Sequence, residues 1–307
     1  MLNDHQKIII RASWITITGN ALLAVLKLVV GFLSNSYAVI GDGIDSTTDI
    51  ASSVVVLVAA RIIARPPNIK FPYGYQKADT LATKVLSFFI FFAGAQLTIS
   101  ALKILILKET FITPSPIAIY ITLVSIAGKI ILSVNLFKTG RKTDSNMLIA
   151  NAKNMRNDIL ISLTVLIGLI FTLLFSLPVI DKILALLLGG FIMFEAFKIF
   201  LKSNVELMDG IDDTQLYCQL FEAVHRVKGA YNPHRVRARK IGNHYMINLD
   251  IEVEPELTVR EAHEIACEVE KSIKTNLNNI YDIMVHIEPR GNLEKDEKFG
   301  IRESDVQ

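Results

Sequence analysis

The sequence predicts a polytopic α-helical membrane protein, six transmembrane helices followed by a small cytosolic α+β domain of two layers in the order α-β-β-α-β. Three observations lead there. Of the 307 residues 51% are hydrophobic, and they gather into six stretches that each reach the roughly 20 residues needed to cross a bilayer. Charge is divided unevenly: residues 1–208 hold 19 Lys and Arg against 11 Asp and Glu, whereas residues 209–307 hold 13 against 19. Beyond Asp209 the continuous apolar runs give way to amphipathic segments. The expected division is a transmembrane domain over 1–208, a cytosolic domain over 209–291, and a polar, mixed-charge tail over 292–307 that is expected to be disordered. A one-domain cytosolic enzyme, a disulfide scaffold and a nucleic-acid binder resting on bulk positive charge are all excluded. The net charge is only +2. Cys218 and Cys267 fit no CxxC spacing and are expected to be buried, reduced thiols.

The spans are placed at 8–33, 37–60, 80–105, 113–137, 147–173 and 178–202. The first runs on past any short signal-peptide core and has no small-residue cleavage site, so it is expected to stay in the mature chain. Arg61, Arg65, Lys70 and Lys77 follow the second span, and Lys138, Arg141 and Lys142 follow the fourth. The other connections hold little charge beyond Lys108, Glu109, Asp181 and Lys182. Positive loops stay inside, which puts both termini in the cytoplasm. In the C-terminal part, 212–228 reads as an amphipathic helix and 234–241 as a strand. Gly242-Asn243 reads as a turn and 244–254 as a second, alternating strand. Residues 258–276 form a helix opened by Thr258 three residues before Glu261, a capping box, and 281–288 is the last strand.

Carboxylates inside the apolar spans carry the functional signal, because one at mid-bilayer costs about 2.5–3.5 kcal/mol on insertion scales. Asp45 and Asp49 in the second span are four apart and so share a helical face. Asp42 lies one turn earlier on nearly the same stripe, a candidate accessory or proton-coupling group. In the fifth span Asn154 and Asp158 repeat the spacing. Two helices that each present a pair of oxygen-bearing side chains one turn apart can close a four-ligand site between them. The bland reading of Asp45 and Asp49 is pairing with Lys27 or Lys84, or exposure in a water-filled vestibule, and that of Asn154 is an ordinary helix–helix hydrogen bond.

Six spans, the Asp-x3-Asp pair, the matched pair in the fifth span and an α/β tail together resemble the cation diffusion facilitator family. The segment Tyr73-Gly74-Tyr75-Gln76-Lys77-Ala78-Asp79 is similar to that family's F/Y-G-x-x-K-x-E/D signature, and Gly19-Asn20-Ala21-Leu22-Leu23-Ala24 is family-like. The resemblance covers residues 8–290. It implies a homodimer in the cell membrane that exports a divalent metal in exchange for protons, by alternating access around Asp45, Asp49, Asn154 and Asp158. The metal is then substrate, with no prosthetic group. Zinc-transporting relatives place His where this chain has Asn154, and of its six histidines only His5 precedes residue 209. Oxygen donors suit Mn²⁺ and other hard ions, and imidazole suits zinc. Relatives with the Asp/Asp–Asn/Asp arrangement are associated with manganese, so Mn²⁺ is the expected substrate, with Zn²⁺ and Fe²⁺ as alternatives. Without histidine, only the clustered carboxylates remain to hold a proton that bound metal expels.

The 61–79 loop holds a second metal site in some relatives, through histidines; this loop has none, and no metal is expected there. Lys77 is expected to pair with Asp209, the family's partner position, as a hinge salt bridge. By family register His234, Asp250, His263, His286 and Glu288 fall where relatives bind metal between the two tails. His225 and His244 are expected to have no ligand role. Arg235, Arg237 and Arg239 alternate on a net acidic domain, which argues against a nucleic-acid partner. An intramembrane metalloenzyme is disfavoured by the lack of HExxH or of a nucleophile beside a base. A membrane-anchored metal sensor would not need acidic pairs inside two helices.

Overall fold

A computed structural model describes residues 4–107, 112–143, 145–211, 213–241, 244–291 and 299–306. Six long helices come first: α1 (Asp4–Leu33), α2 (Tyr37–Ile63), α3 (Ala78–Leu107), α4 (Ile117–Lys142), α5 (Asn146–Leu174) and α6 (Val179–Leu207). Even the shortest, α4 with 26 residues, reaches about 39 Å at 1.5 Å per residue, beyond the roughly 30 Å of a hydrocarbon core. All six are apolar enough to cross a membrane. α4 begins at Ile117 and not at 113, because Pro114 and Pro116 precede it and Pro116 occupies its N-cap. Two compact units form, residues 1–61 with 82–200 and residues 62–81 with 201–307. The loop after α2 and the last turns of α6 therefore group with the C-terminal unit, a division the continuous apolar runs do not reveal.

In the first unit Leu22, Val25, Phe32, Phe89 and Phe92 stay exposed, as faces turned to lipid would. Inside, small residues let helices approach closely. A Cβ on Gly43 of α2 would lie 2.8 Å from Leu28 Cδ2 and 3.2 Å from the Leu28 nitrogen of α1. Gly128 of α4 and Gly19 of α1 receive Leu23 and Leu132 in the same way, with Cβ contacts of 2.9 and 2.8 Å. The connection between α1 and α2 is tied from α6. Asp181 accepts hydrogen bonds from Ser36 Oγ (2.6 Å) and from the Tyr37 and Ala38 N–H groups (2.9 and 3.3 Å), capping the N-terminus of α2 with a carboxylate. Lys182 closes the arrangement on Asp181 and on the Asn35 carbonyl. Both charges, expected as loop residues, are buried in the first turn of α6.

The second unit contains α7 (Thr214–His225), β1 (Tyr231–Ile241), β2 (His244–Val253), α8 (Val259–Asn276), β3 (Ile280–Pro289) and a 3₁₀ turn, Glu303–Asp305. β1 and β2 are antiparallel. β2 and β3 are parallel, joined by the α8 crossover that such a pair requires. Thr258 and Glu261 form the expected capping box. α7 is shorter than its amphipathic pattern, starting at the Asp213 N-cap and stopping at Arg226 ahead of Gly229, whose φ is +92°. Ile247, Leu249 and Ile251 of β2 pack with Leu220, Phe221 and Val224 of α7 and Val269 and Ile273 of α8. By alternation Asn248, Asp250 and Glu252 then face the opposite side of the sheet. The expected turn Gly242-Asn243 lies outside the described residues.

Ile301 pairs with Val236 at the outer edge of β1, and Ile301 and Val306 pack against the core. One expectation needs correction. Cys218 and Cys267 are exposed, not buried.

Candidate metal centre

In the first unit α2 brings Asp45 and Asp49, both half-buried, toward Asp158 on α5. The Asp45, Asp49 and Asp158 carboxyl groups lie close enough to interact electrostatically with one another. Asn154 sits one turn before Asp158 on α5 and is exposed. Three of the four expected residues thus lie near one another, and Asn154 is exposed.

Asp42 is fully buried one turn from Asp45, with Lys27 Nζ of α1 at 2.8 Å from its Oδ2. Ser162 of α5 donates to Asp42 Oδ1 at 2.8 Å. Lys27 in turn donates to Ser46 and Ser162 at 3.2 and 3.0 Å. The close ion pair of Lys27 is therefore with Asp42, with Asp45 in its electrostatic reach, while Lys84 lies over the Phe200 ring. A further buried lysine, which the sequence reading does not single out, lies beside the cluster. Lys129 of α4 is 1% exposed and its Nζ lies 3.4 Å from Asp158 Oδ2.

The second unit holds another cluster. His234 and Asp250 are partners across β1 and β2, and the parallel register sets Glu252 beside Glu288. Ligand atoms of His234, Asp250 and Glu288 lie within 4.8 Å of one another, all three residues buried. His234 Nε2 is 3.5 Å from Glu288 Oε2, and its Nδ1 is 2.7 Å from the Asn232 carbonyl oxygen, which orients the ring. Arg235 donates to Asp250 at 2.8 Å. His286 is exposed, 3.7 Å from Glu288. His263 is exposed on α8, 3.6 Å from Cys267 Sγ. Three of the five expected tail ligands are thus together in one protomer, and two stand at the surface.

Glu252 belongs to this polar face although sequence reasoning passed over it. Burial pushes its carboxyl up, but the Gly291 N–H, the Asn232 amide and His234 together hold it below the usual glutamate range. A depressed folded-state value means that this stabilisation is present above the unfolded pKa and is lost as pH falls through the folded one. Glu252→Gln should therefore lower the domain's melting temperature at neutral pH and flatten its decline on acidification; parallel melting curves would contradict this.

At the other end of the same unit Lys77 Nζ donates to Asp209 at 2.5 Å, and to the Leu207 carbonyl at 3.4 Å. Asp209 adopts φ +62° just past α6, where the Gly210 N–H returns to the Val205 carbonyl. Arg239 approaches Asp209 at 4.0 Å and stacks on the Tyr73 ring.

Comparison with known proteins decides the family. Residues 13–208 match the cation efflux transmembrane domain, and residues 213–290 match the cation efflux protein cytoplasmic domain. The chain belongs to the cation efflux family. This cation efflux protein is 34% identical over 284 residues to the uncharacterized transporter YdbO of Bacillus subtilis, covering 91% of this chain and 95% of that one. It is 31% identical over 281 residues to the manganese efflux system protein MneS of the same organism (90% and 93%). It is 24% identical over 295 residues to that organism's MneP, also a manganese efflux system protein (94% and 99%). The cation efflux protein is thus a multi-pass membrane transporter of divalent metal cations, with six spans and a small α+β domain.

Proposed function

We propose that the protein exports Mn²⁺ from the cytoplasm across the cell membrane, in exchange for protons, with Zn²⁺ and Fe²⁺ as alternative substrates. The observation that supports this best is the meeting of Asp45, Asp49 and Asp158 between two apolar helices, in spans that contain no histidine beyond the His5 region. An all-oxygen donor set favours a hard divalent ion, and MneS and MneP bear manganese efflux in their names. Asn154 completes the set one turn away on α5 as a fourth oxygen donor. The clustered carboxyl groups are the candidates to carry the exchanged proton, which an arriving divalent ion would displace.

The protein works as a homodimer with both termini cytoplasmic. In its tail, the buried His234, Asp250 and Glu288 would bind metal weakly, with His263 and His286 joining at the subunit boundary. Such binding would tighten the dimer and bias the transport cycle. The Lys77–Asp209 pair serves as the hinge between loop and tail.

Uptake into inverted vesicles of Mn²⁺, Zn²⁺, Fe²⁺, Co²⁺ and Cd²⁺, with and without a pH gradient, tests the reading. Manganese-dependent, gradient-dependent uptake is expected; a membrane-anchored sensor would move no ion. In the same vesicles Asn154→His should raise the Zn²⁺ to Mn²⁺ flux ratio about tenfold, since imidazole outranks an amide oxygen as a zinc ligand, whereas Asn154→Asp should keep manganese. An unchanged ratio in the His variant would remove Asn154 from the selectivity argument.

A further inference from the structure

Lys129 is the thirteenth residue of the 26 in α4, so about 18 Å of helix separates it from either end. That is too far for a lysine stem to carry its charge to the membrane surface. Its side chain is 1% exposed, and among the described residues its Nζ has no hydrogen-bond partner. The single carboxylate in ion-pair contact with it, among the described residues, is Asp158 at 3.4 Å. Asp45 and Asp49 also lie within its electrostatic reach, as does Lys27. Its position is not loose. The neighbouring Gly128 seats α4 against Leu23 of α1, and Ser133, one turn further on, donates to the Ala152 carbonyl of α5 at 3.0 Å. The charge is therefore built into the wall of the carboxylate cluster.

We propose that Lys129 is a tethered counter-cation of the transport site: its ammonium holds the Asp158 carboxylate while the site is empty and competes with the incoming divalent ion for it. This rests on the reading of Asp45, Asp49 and Asp158 as the metal site. The physical consequence is a trade. A fixed positive charge next to a ligand oxygen satisfies that oxygen when no metal is there, and it repels the metal once bound, in surroundings that screen poorly. It lowers affinity and thereby speeds release, which a transporter needs more than tight binding. It also takes up one negative charge of three, so that the remaining two are matched by a single divalent ion. Lys129 acts through Asp158 and is a positioning residue, not a ligand.

The test compares the full-length wild type with Lys129→Met, Lys129→Gln and Lys129→Arg. Mn²⁺ binding is measured by equilibrium dialysis of the purified, monodisperse protein in lipid nanodiscs, and KM and maximal flux are measured in inverted vesicles. Both neutral variants should bind Mn²⁺ at least about tenfold more tightly and show a KM lowered in step, with maximal flux reduced because release has slowed. Lys129→Arg, which keeps the charge, should stay near wild type. The Gln variant places a neutral polar amide in the same pocket and carries the test where the Met variant does not fold. Unchanged or weakened Mn²⁺ binding in a folded neutral variant would overturn the proposal, as would a loss of flux at constant KM and Kd, the mark of a packing role alone. Failure of the wild type to move any divalent ion would instead strike the transport reading, and the dialysis comparison would still judge Lys129.

Discussion

Asp49→Ala and Asp158→Ala are each expected to abolish metal-dependent uptake while the protein still reaches the membrane. Both residues are half-buried carboxylates on the facing sides of α2 and α5, and neither belongs to the apolar contacts that join the helices. Removing either takes away one of three clustered anionic donors and little packing. The loss of a donor to a divalent ion in a poorly screened site should reduce flux by at least about a hundredfold. The two variants differ in one respect. Asp49→Ala leaves no buried cation behind, whereas Asp158→Ala strands the ammonium of Lys129, whose one ion pair among the described residues is with Asp158. Some loss of folded protein is expected for Asp158→Ala on that account, and Asp158→Asn, which keeps a polar partner for Lys129, is the cleaner probe. Flux is to be normalised to the amount of monodisperse protein recovered. Wild-type flux in Asp49→Ala or Asp158→Asn would sink the site assignment.

The carboxylates were legible in the sequence because acids are rare in apolar runs and the i, i+4 spacing fixes which of them share a helix face. Their counter-ions were not. Lys27 and Lys129 are likewise charges within spans, but which acid each one meets depends on how α1 and α4 are rotated and how closely they approach. Those are set by contacts such as Gly43 on Leu28 and Gly128 on Leu23, which no periodicity encodes. The tail shows the same division. Alternation along β2 separates Ile247, Leu249 and Ile251 from Asp250 and Glu252, and it was readable. Strand register, which sets His234 against Asp250 and Glu252 against Glu288, was not. The edge pairing of Ile301 with Val236 was hidden because one bridge and a few apolar side chains leave no period in a polar tail. Asn154 marks the limit in the other direction: its spacing is right and its side chain is exposed, so its role rests on the flux ratio of the His variant.

The Lys27–Asp42 pair should prove the most costly polar contact in the first unit to break from one side. Both side chains are 0% exposed and 2.8 Å apart, joined by Ser46 and Ser162 into a network linking α1, α2 and α5. Among the described residues, Lys27→Met leaves the Asp42 carboxylate with the Ser162 hydroxyl alone; Asp42→Asn leaves the Lys27 ammonium with two hydroxyls, an amide and the more distant Asp45. Removing one partner of a buried ion pair typically destabilises by about 3–5 kcal/mol, more than the pair itself contributes, because an uncompensated charge remains. Either single variant should therefore lose most of its folded protein or melt well below wild type in detergent. The double variant Lys27→Met/Asp42→Asn removes both charges and should recover a large part of that loss, a non-additivity on the order of 2 kcal/mol or more. Thermal unfolding of the four full-length proteins gives the cycle, and additive losses would mean that the two residues are not energetically paired. The double variant also decides what Asp42 does. If it folds and transports, Asp42 is a structural partner of Lys27 that holds α2 in register one turn from Asp45. If it folds and its pH-gradient dependence is lost while Mn²⁺ binding remains, the Asp42 carboxyl lies on the proton path.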